Sequence, residues 1–405
     1  MARPHEAAPL HAHRLQSRRF MWLYGLAWAG GAVSYVPFLT LLLPLRVADL
    51  AVGQAVQWLG YISFAGAIAA SLGGIVFGWL SDISGTRNWW IGAGLVLNVA
   101  LLMAMSQISA VVPLVAVLIL WQFGLNMMLG PLAALGGDLV PDRQKGMLGG
   151  LLAFAPAAGA AAGAVITIPG LAAAEGRFMV VAAMIIACVL PLLLFGRPVA
   201  FPELMTTSPR DIHHRSAAQC GMVRMWIARL AVQISEAALF AYLLYYFRSI
   251  NPDIRDADSA RIFSVVLVVA IPLALFAGRW ADRNGKAIIP LRWTAGLSAG
   301  GLVIMAASDG IVGALAGYIL FGLATTVFLS LHASQMLRVL PRPSTRGRDL
   351  GLFNLTNTVP SLIMPWLTIA IVPSFGFAPL FWLLAMLAAF ACILLTTIKA
   401  LPKAA

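Results

Sequence analysis

A helix needs about 20 mostly apolar residues to cross the hydrocarbon core of a bilayer, and this 405-residue chain carries twelve such stretches. They fall at 20–45, 55–80, 90–107, 111–136, 147–170, 178–196, 223–247, 262–280, 288–307, 311–335, 350–372 and 378–398. Backbone amides inside a bilayer must be satisfied within their own segment, so each stretch is expected to be a helix. A soluble fold fails on composition. Hydrophobic residues make up 61% of the chain and Asp, Glu, Lys and Arg only 10%, against about 25% charged in an ordinary soluble domain. Soluble enzymes, nucleic-acid-binding domains and disordered chains are excluded, and the fold class is an all-α polytopic membrane protein.

Residues 1–19 form a basic tail holding Arg3, Arg14, Arg18 and Arg19, and the run behind it reads as a retained first helix rather than a signal peptide. The longest polar gap, 197–222, follows helix six and divides the chain into bundles at 20–196 and 223–398, leaving a second tail at 399–405. The net charge of +12 has a topological reading. With the N-terminus inside, 21 of the 27 basic residues fall in the tails and alternate loops on one side, and five fall on the other. That asymmetry is the positive-inside rule, and it puts both termini in the cytoplasm of a bacterial-type inner membrane. Nucleic acid is not needed to explain the charge. Cys188, Cys220 and Cys392 are too scattered for a disulfide framework or a metal cluster.

The two parts are related by a repeat at an offset of 200 residues. Gly78-Trp-Leu-Ser-Asp82-Ile-Ser-Gly85-Thr-Arg87 ends helix two, and Gly278-Arg-Trp-Ala-Asp282-Arg-Asn-Gly285-Lys286 ends helix eight. A second pair lies 61 residues further on: Pro141 to Gly146 before helix five, and Pro341 to Gly347, with Arg346, before helix eleven. Gly78 and Gly278 allow close helix approach, and Gly85 and Gly285 allow positive φ in a short turn. Asp82 and Asp282 stand at the membrane edge, where a carboxylate meets the positive N-terminal end of another helix. Such helices begin just after Gly146 and Gly347.

On these residues the sequence resembles the major facilitator superfamily. The family's loop between helices two and three is matched by Gly78, Leu80, Asp82, Gly85 and Arg87, and less fully by Gly278, Asp282, Gly285 and Lys286. Thr86 replaces a usual basic residue. The resemblance implies two six-helix bundles around a central cavity that opens alternately to either side. It also implies inter-bundle gating contacts by Asp82 and Asp282, with Asp138 as the acidic partner of Arg87. Shorter likenesses at Asp138–Pro141 and Gly351–Pro360 point loosely to sugar–cation symporters. The family's antiporter motif in helix five survives only as Pro156 and Gly159.

Of the fifteen acidic residues, Glu236 stands at the middle of a span. A charge there costs at least about 2.5 kcal/mol, so it is expected to face a cavity or a partner. A carboxylate at that depth can carry a coupling proton or bind a cation, or it can remain a protonated interhelical bond. Arg229, two turns lower on the same face, either snorkels to the interface or binds substrate. Tyr35, Gln122, Asn126, Tyr242, Thr325 and Asn357 also lie at mid-helix depth. In helices one, four, seven and ten, which line the cavity in the family, such groups suit a hydroxyl-rich ligand, although Asn and Gln serve equally as interhelical glue. His332 reads as a helix-end hydrogen bond or a proton relay.

The expected function is secondary active transport of a small organic solute, with a sugar or glycoside favoured, coupled to H+ through Glu236. Export of an amphipathic drug or lipid-like compound is the alternative. A membrane-embedded transferase is a third reading, its nearest approach to a catalytic set being Asp211, His213 and His214. No Walker-type loop is present, so ATP does not drive transport directly. No cofactor, metal or nucleic acid is expected, and the protein is expected to act as a monomer in the lipid bilayer.

Overall fold

The computed structural model describes residues 15–52, 54–205, 215–254, 256–340 and 343–398. Asp211, His213 and His214 lie outside them, as do residues 1–14 of the first expected tail and the whole of the second, 399–405. Among the described residues there are twelve long helical segments and no strand. They are α1 (Arg18–Leu50), α2 (Ala55–Ser84), α3 (Arg87–Met105), α4 (Val111–Leu139), α5 (Lys145–Leu152 and Phe154–Ile166) and α6 (Ala174–Phe195), followed by the second set. That set is α7 (Arg215–Ile250), α8 (Asp256–Asn284), α9 (Ile289–Ala306), α10 (Ile311–Val339), α11 (Arg346–Phe375) and α12 (Phe377–Thr396). Ten are long and apolar enough to cross a membrane, and α7 and α11, at 36 and 30 residues, complete the set.

Local chemistry accounts for the irregularities. Ser17 caps α1 by accepting from the backbone N–H of Phe20 (3.2 Å). Pro37, which has no N–H to give, is followed by a π-helical stretch at Phe38–Leu42 inside α1. Pro156 likewise cannot bond the Leu152 carbonyl, and α5 is interrupted at Ala153, whose N–H turns to Gly150 instead (3.3 Å). Helix α7 begins at Arg215, inside the expected 197–222 gap, so part of that polar stretch is helix.

Helices α1–α6 and α7–α12 form two bundles with their own apolar cores. Trp121 against Phe38 (ring centroids 4.6 Å apart) sits in the first, and Tyr246 against Phe381 (4.6 Å) in the second. The bundles meet along α2 against α11 and along the first part of α5 against α8 and α10. These contacts lie at the end bearing the short turns after α2 and α8, here called the base. Leu337 and Leu350 of the second bundle join the first bundle's core there. On α2, Gly78, Gly74 and Ser71 face α11, and Ser71 Oγ lies 2.8 Å from Thr358 Oγ1. Phe64 is two turns further along the same face, yet it is 56% exposed. The bundles therefore diverge toward the opposite end, the mouth.

Helices α2, α4, α8 and α10 run three or four residues past the ends expected from apolarity. Hydropathy stops at the hydrocarbon boundary, whereas the backbone ladder continues into the interface. Asp82, Asp138 and Asp282 consequently sit on rigid last turns of helices and not in loops.

Candidate functional site

Two junctions close the base, related by the sequence repeat. At the first, the α2 turn ends on Gly85 at φ +66°, a conformation that glycine adopts without strain. Asp82 then lies under the first turn of α11. Its Oδ1 accepts from the Gly347 N–H and its Oδ2 from the Arg348 N–H, both at 2.9 Å. A carboxylate there satisfies two orphan amides and meets the positive end of the helix dipole. A Cβ on Gly78 would collide with the Gly347 carbonyl, so that glycine is required by the approach of the two backbones. Arg87 holds the carboxylate in place: Nη2 donates to Asp82 Oδ1 (2.6 Å), Nη1 to Ser81 Oγ (2.5 Å) and Nε to Asp138 Oδ2 (3.0 Å). Arg346 crosses from α11 to Asp138 Oδ1 and also donates to the Leu204 carbonyl (3.2 Å).

At the second junction, Gly285 has φ +62° and Asp282 accepts from the Gly146 and Met147 N–H groups of α5, each at 2.8 Å. Gly278 and Gly146 are in backbone contact. Each repeat aspartate thus caps a helix of the other bundle. The cation differs from expectation. Lys286 is exposed, and Arg338 holds Asp282 instead, its Nη2 donating to Oδ1 (2.9 Å) and to the carbonyl of Asp142. Lys145 Nζ bonds Asp142 Oδ1 (2.6 Å) and the Leu337 carbonyl across the junction (3.2 Å).

Sequence reasoning also missed Gln16. Its N–H donates to Gln144 Oε1 (2.6 Å), its Nε2 to the Leu139 (2.9 Å) and Val199 (3.0 Å) carbonyls, and its Oε1 accepts from the Val199 N–H (2.9 Å). Gln16 thereby pins the start of the chain to the α4–α5 turn and to the segment after α6. Nothing in a lone Gln next to a basic tail signals this.

Above the base lies a polar cluster. Glu236 is half-buried on α7 and accepts from Gln233 Nε2. Arg229 and Tyr35 are near enough for electrostatic interaction with it. Tyr35, on α1 just below the Pro37 irregularity, is 39% exposed. Arg229 does not reach the interface as snorkelling would require. It is buried, with Nη1 on the Leu329 carbonyl (3.0 Å), Nη2 on Asn357 Oδ1 (3.1 Å) and its guanidinium 5.5 Å from the Phe353 ring. Phe353 also stacks on His332 (5.4 Å), whose Nε2 donates to the Met225 carbonyl (3.0 Å), a bond between helices in place of the expected one at a helix end. Two reciprocal bonds therefore clamp α7 to α10.

Gln122 and Asn126 are buried on one face of α4, toward Gly66 and Gly73–Gly74 of α2. Asn126 Nδ2 donates to the Gln122 carbonyl (2.9 Å), and Asn357 Nδ2 to Asn354 Oδ1 (2.6 Å). Asn126 Oδ1 and Asn354 Nδ2 both lie beside Gly74, where the bundles touch. Two expected ligands lie elsewhere. Thr325 is buried against Ser298 of α9 (2.9 Å), a bond within one bundle. Tyr242 is six residues beyond Glu236, which turns it well round the helix, and its ring lies 6.5 Å from Tyr245. Depth along a helix is readable from sequence; azimuth in a helix apolar on all sides is not.

A half-buried carboxylate at mid-depth thus stands above two junctions that close the base. Residues 225–404 match the model of the Major Facilitator Superfamily. The human organic anion transporter MFSD10 (TETRAN) is similar in structure, with a TM-score of 0.75 at 12% identity over 93% of this chain and 99% of that one. FucP, the E. coli fucose:proton symporter, in its outward conformation gives 0.74 at 16% identity over 94% and 98%. A bacterial homologue of the iron transporter ferroportin, outward-facing, gives 0.74 at 14% over 94% and 98%. At these identities the likeness is one of fold. No curated protein matches the sequence. The second bundle matches the model of the Major Facilitator Superfamily, and the fold of the chain is similar to that of these transporters, sugar–proton symporters among them.

Proposed function

We propose that the protein is a proton-coupled secondary transporter of a small organic solute, working by alternating access. The observation that carries the reading is Glu236: a half-buried carboxylate at mid-depth, near Arg229 and Tyr35, above a base that is closed. The basic-residue asymmetry supports a cytoplasmic base, so the described arrangement is outward-facing in a bacterial-type inner membrane, with both termini in the cytoplasm. Residues 20–196 and 223–398 are the rocking bodies of a monomer, and the junctions part when the cavity turns inward. Asp82, Arg87, Asp138, Asp282, Arg346 and the repeat glycines are gating residues on this account. Glu236 takes a proton from the mouth side and releases it to the base side after the exchange.

A sugar or glycoside is the first candidate solute, supported by the short sequence likenesses and by Asn126 and Asn354, both beside Gly74. Export of an amphipathic compound has one observation in its favour: Asn357 and Thr325 are already bonded to protein partners, which leaves Tyr35 and Glu236 as the more accessible groups. Proteoliposomes with an imposed pH gradient test both readings. Gradient-driven uptake of a monosaccharide or glycoside that disappears in Glu236→Gln is the expected result. Uptake that is unaltered in Glu236→Gln removes the coupling assignment, and extrusion of lipophilic dyes in place of sugar uptake selects the second reading.

A further inference from the structure

Gln233 and Glu236 are three residues apart on α7 and so share a face. Gln233 Nε2 donates to Glu236 Oε2, which uses the donor end of the amide. What the pair leaves over is acceptors. Gln233 Oε1 is buried without a partner, and Glu236 Oε1 takes part in no hydrogen bond among the described residues. An amide oxygen and an ionised carboxylate only accept, so neither can satisfy the other. The neighbouring cation does not fill the gap. Arg229 is near enough to act on Glu236 electrostatically, yet Nη1 is committed to the Leu329 carbonyl (3.0 Å), Nη2 to Asn357 Oδ1 (3.1 Å), and Nε reaches no acceptor. Two hydroxyls lie within electrostatic range, Tyr35 of α1 in the first bundle and Tyr318 of α10 in the second. Neither bonds Glu236 among the described residues.

A carboxylate drawn out of water is costly unless it is both hydrogen-bonded and charge-compensated. The chemical complement of this face is therefore positive and carries more than one donor. We propose that the solute bears a protonated nitrogen with at least two N–H groups, a primary ammonium or an amidinium, which docks between Gln233 Oε1 and Glu236 Oε1. The proposal rests on the transport reading above and narrows it. The sugar of that reading becomes an amino sugar, and the amphipathic compound a lipophilic amine. A neutral hydroxyl in the same place offers one donor, fills one of the two acceptors and leaves the charge uncompensated. An anionic solute would set like charge against Glu236. Arg229, held by α10 and α11, keeps its place when the ammonium binds and is no part of the contact.

Calorimetric binding to the full chain in detergent at neutral pH tests this with pairs that differ in one group: glucosamine against glucose, and phenethylamine against phenethyl alcohol. In at least one pair the amine is expected to bind about tenfold more tightly than the hydroxyl compound, the scale of a hydrogen bond to a charged group. The trimethylammonium derivative of the same amine has the charge and no N–H, and it should lose most of that advantage. Glu236→Gln should bring the pair within about threefold of each other, as for a neutral hydrogen bond. Gln233→Leu should shrink the advantage while the carboxylate stays. Thermal melting without ligand checks that both variants are folded. Amines that bind no better than alcohols, an advantage unchanged by either substitution, or a trimethylammonium form as tight as the primary amine overturns the proposal. Binding is read without a gradient, so the two readings fail separately. Proton-driven uptake of glucose with no preference for glucosamine keeps the transport reading and removes the amine site. Amine binding without proton-driven movement removes the coupling and keeps the site.

Discussion

Asp82 and Asp282 each place both carboxylate oxygens on two backbone amides of the opposite bundle. That each aspartate meets a helix N-terminus was legible because both recur four residues after a glycine, whereas the family resemblance implied that the helix belongs to the opposite bundle. Arg338 was not legible, since the repeat has an acid at its counterpart and only coordinates reveal that the inverted charge finds Asp282. The direction of Arg229 was left open because a long guanidinium stem can turn either way, and the structure turns it inward onto α10 and α11. Removing it should be costly. Arg229→Met leaves the Leu329 carbonyl and Asn357 Oδ1 without their donor, which predicts a stability loss of about 1–3 kcal/mol, read as a lowered melting temperature in detergent. Glu236→Gln, by contrast, keeps a polar side chain of similar shape. It should leave melting nearly unchanged and abolish gradient-driven uptake, while solute exchange without a gradient continues.

Among elements, the glycine contacts decide how closely helices approach at the base. On α2 and α11, Gly74, Gly78, Gly347 and Gly351 bring backbone against backbone, and a Cβ on any of the last three would strike a carbonyl of the facing helix. Gly347→Ala should therefore push α11 off α2, tilt the equilibrium toward the base-open arrangement and speed alkylation of a thiol at Leu350, which is buried in the first bundle's core. An unchanged rate would mean that the helix ends yield locally. The twelve spans and their division were readable because the membrane demands long apolar helices of any chain that crosses it. Helix ends were not, because the interface hides them from a hydropathy reading, and there the residues of the two junctions stand. Nor were the rotations of Thr325 and Tyr242, since their helices are apolar on every side and give no stripe to orient them.

At the scale of the whole molecule, two bundles are joined firmly at the base and diverge toward the mouth, with the half-buried Glu236 at mid-depth on α7. Under the proposed alternating access the base and the mouth exchange roles, and the seal at the base must be strong enough to hold yet reversible. Backbone caps, ion pairs and glycine contacts meet that requirement, as each closes at short range and is replaced by water when the bundles part. Pairs of spin labels read the exchange directly: Asn88→Cys with Ser344→Cys across the base, and Gln57→Cys with Ser374→Cys across the mouth, all at exposed positions. Distances measured in lipid nanodiscs with Arg346 in place should give a short base and a wide mouth. With Arg346→Gln, the account predicts that the base distance lengthens and the mouth distance shortens in the same molecules. A base that opens while the mouth stays wide, or a mouth distance that never changes, would contradict it.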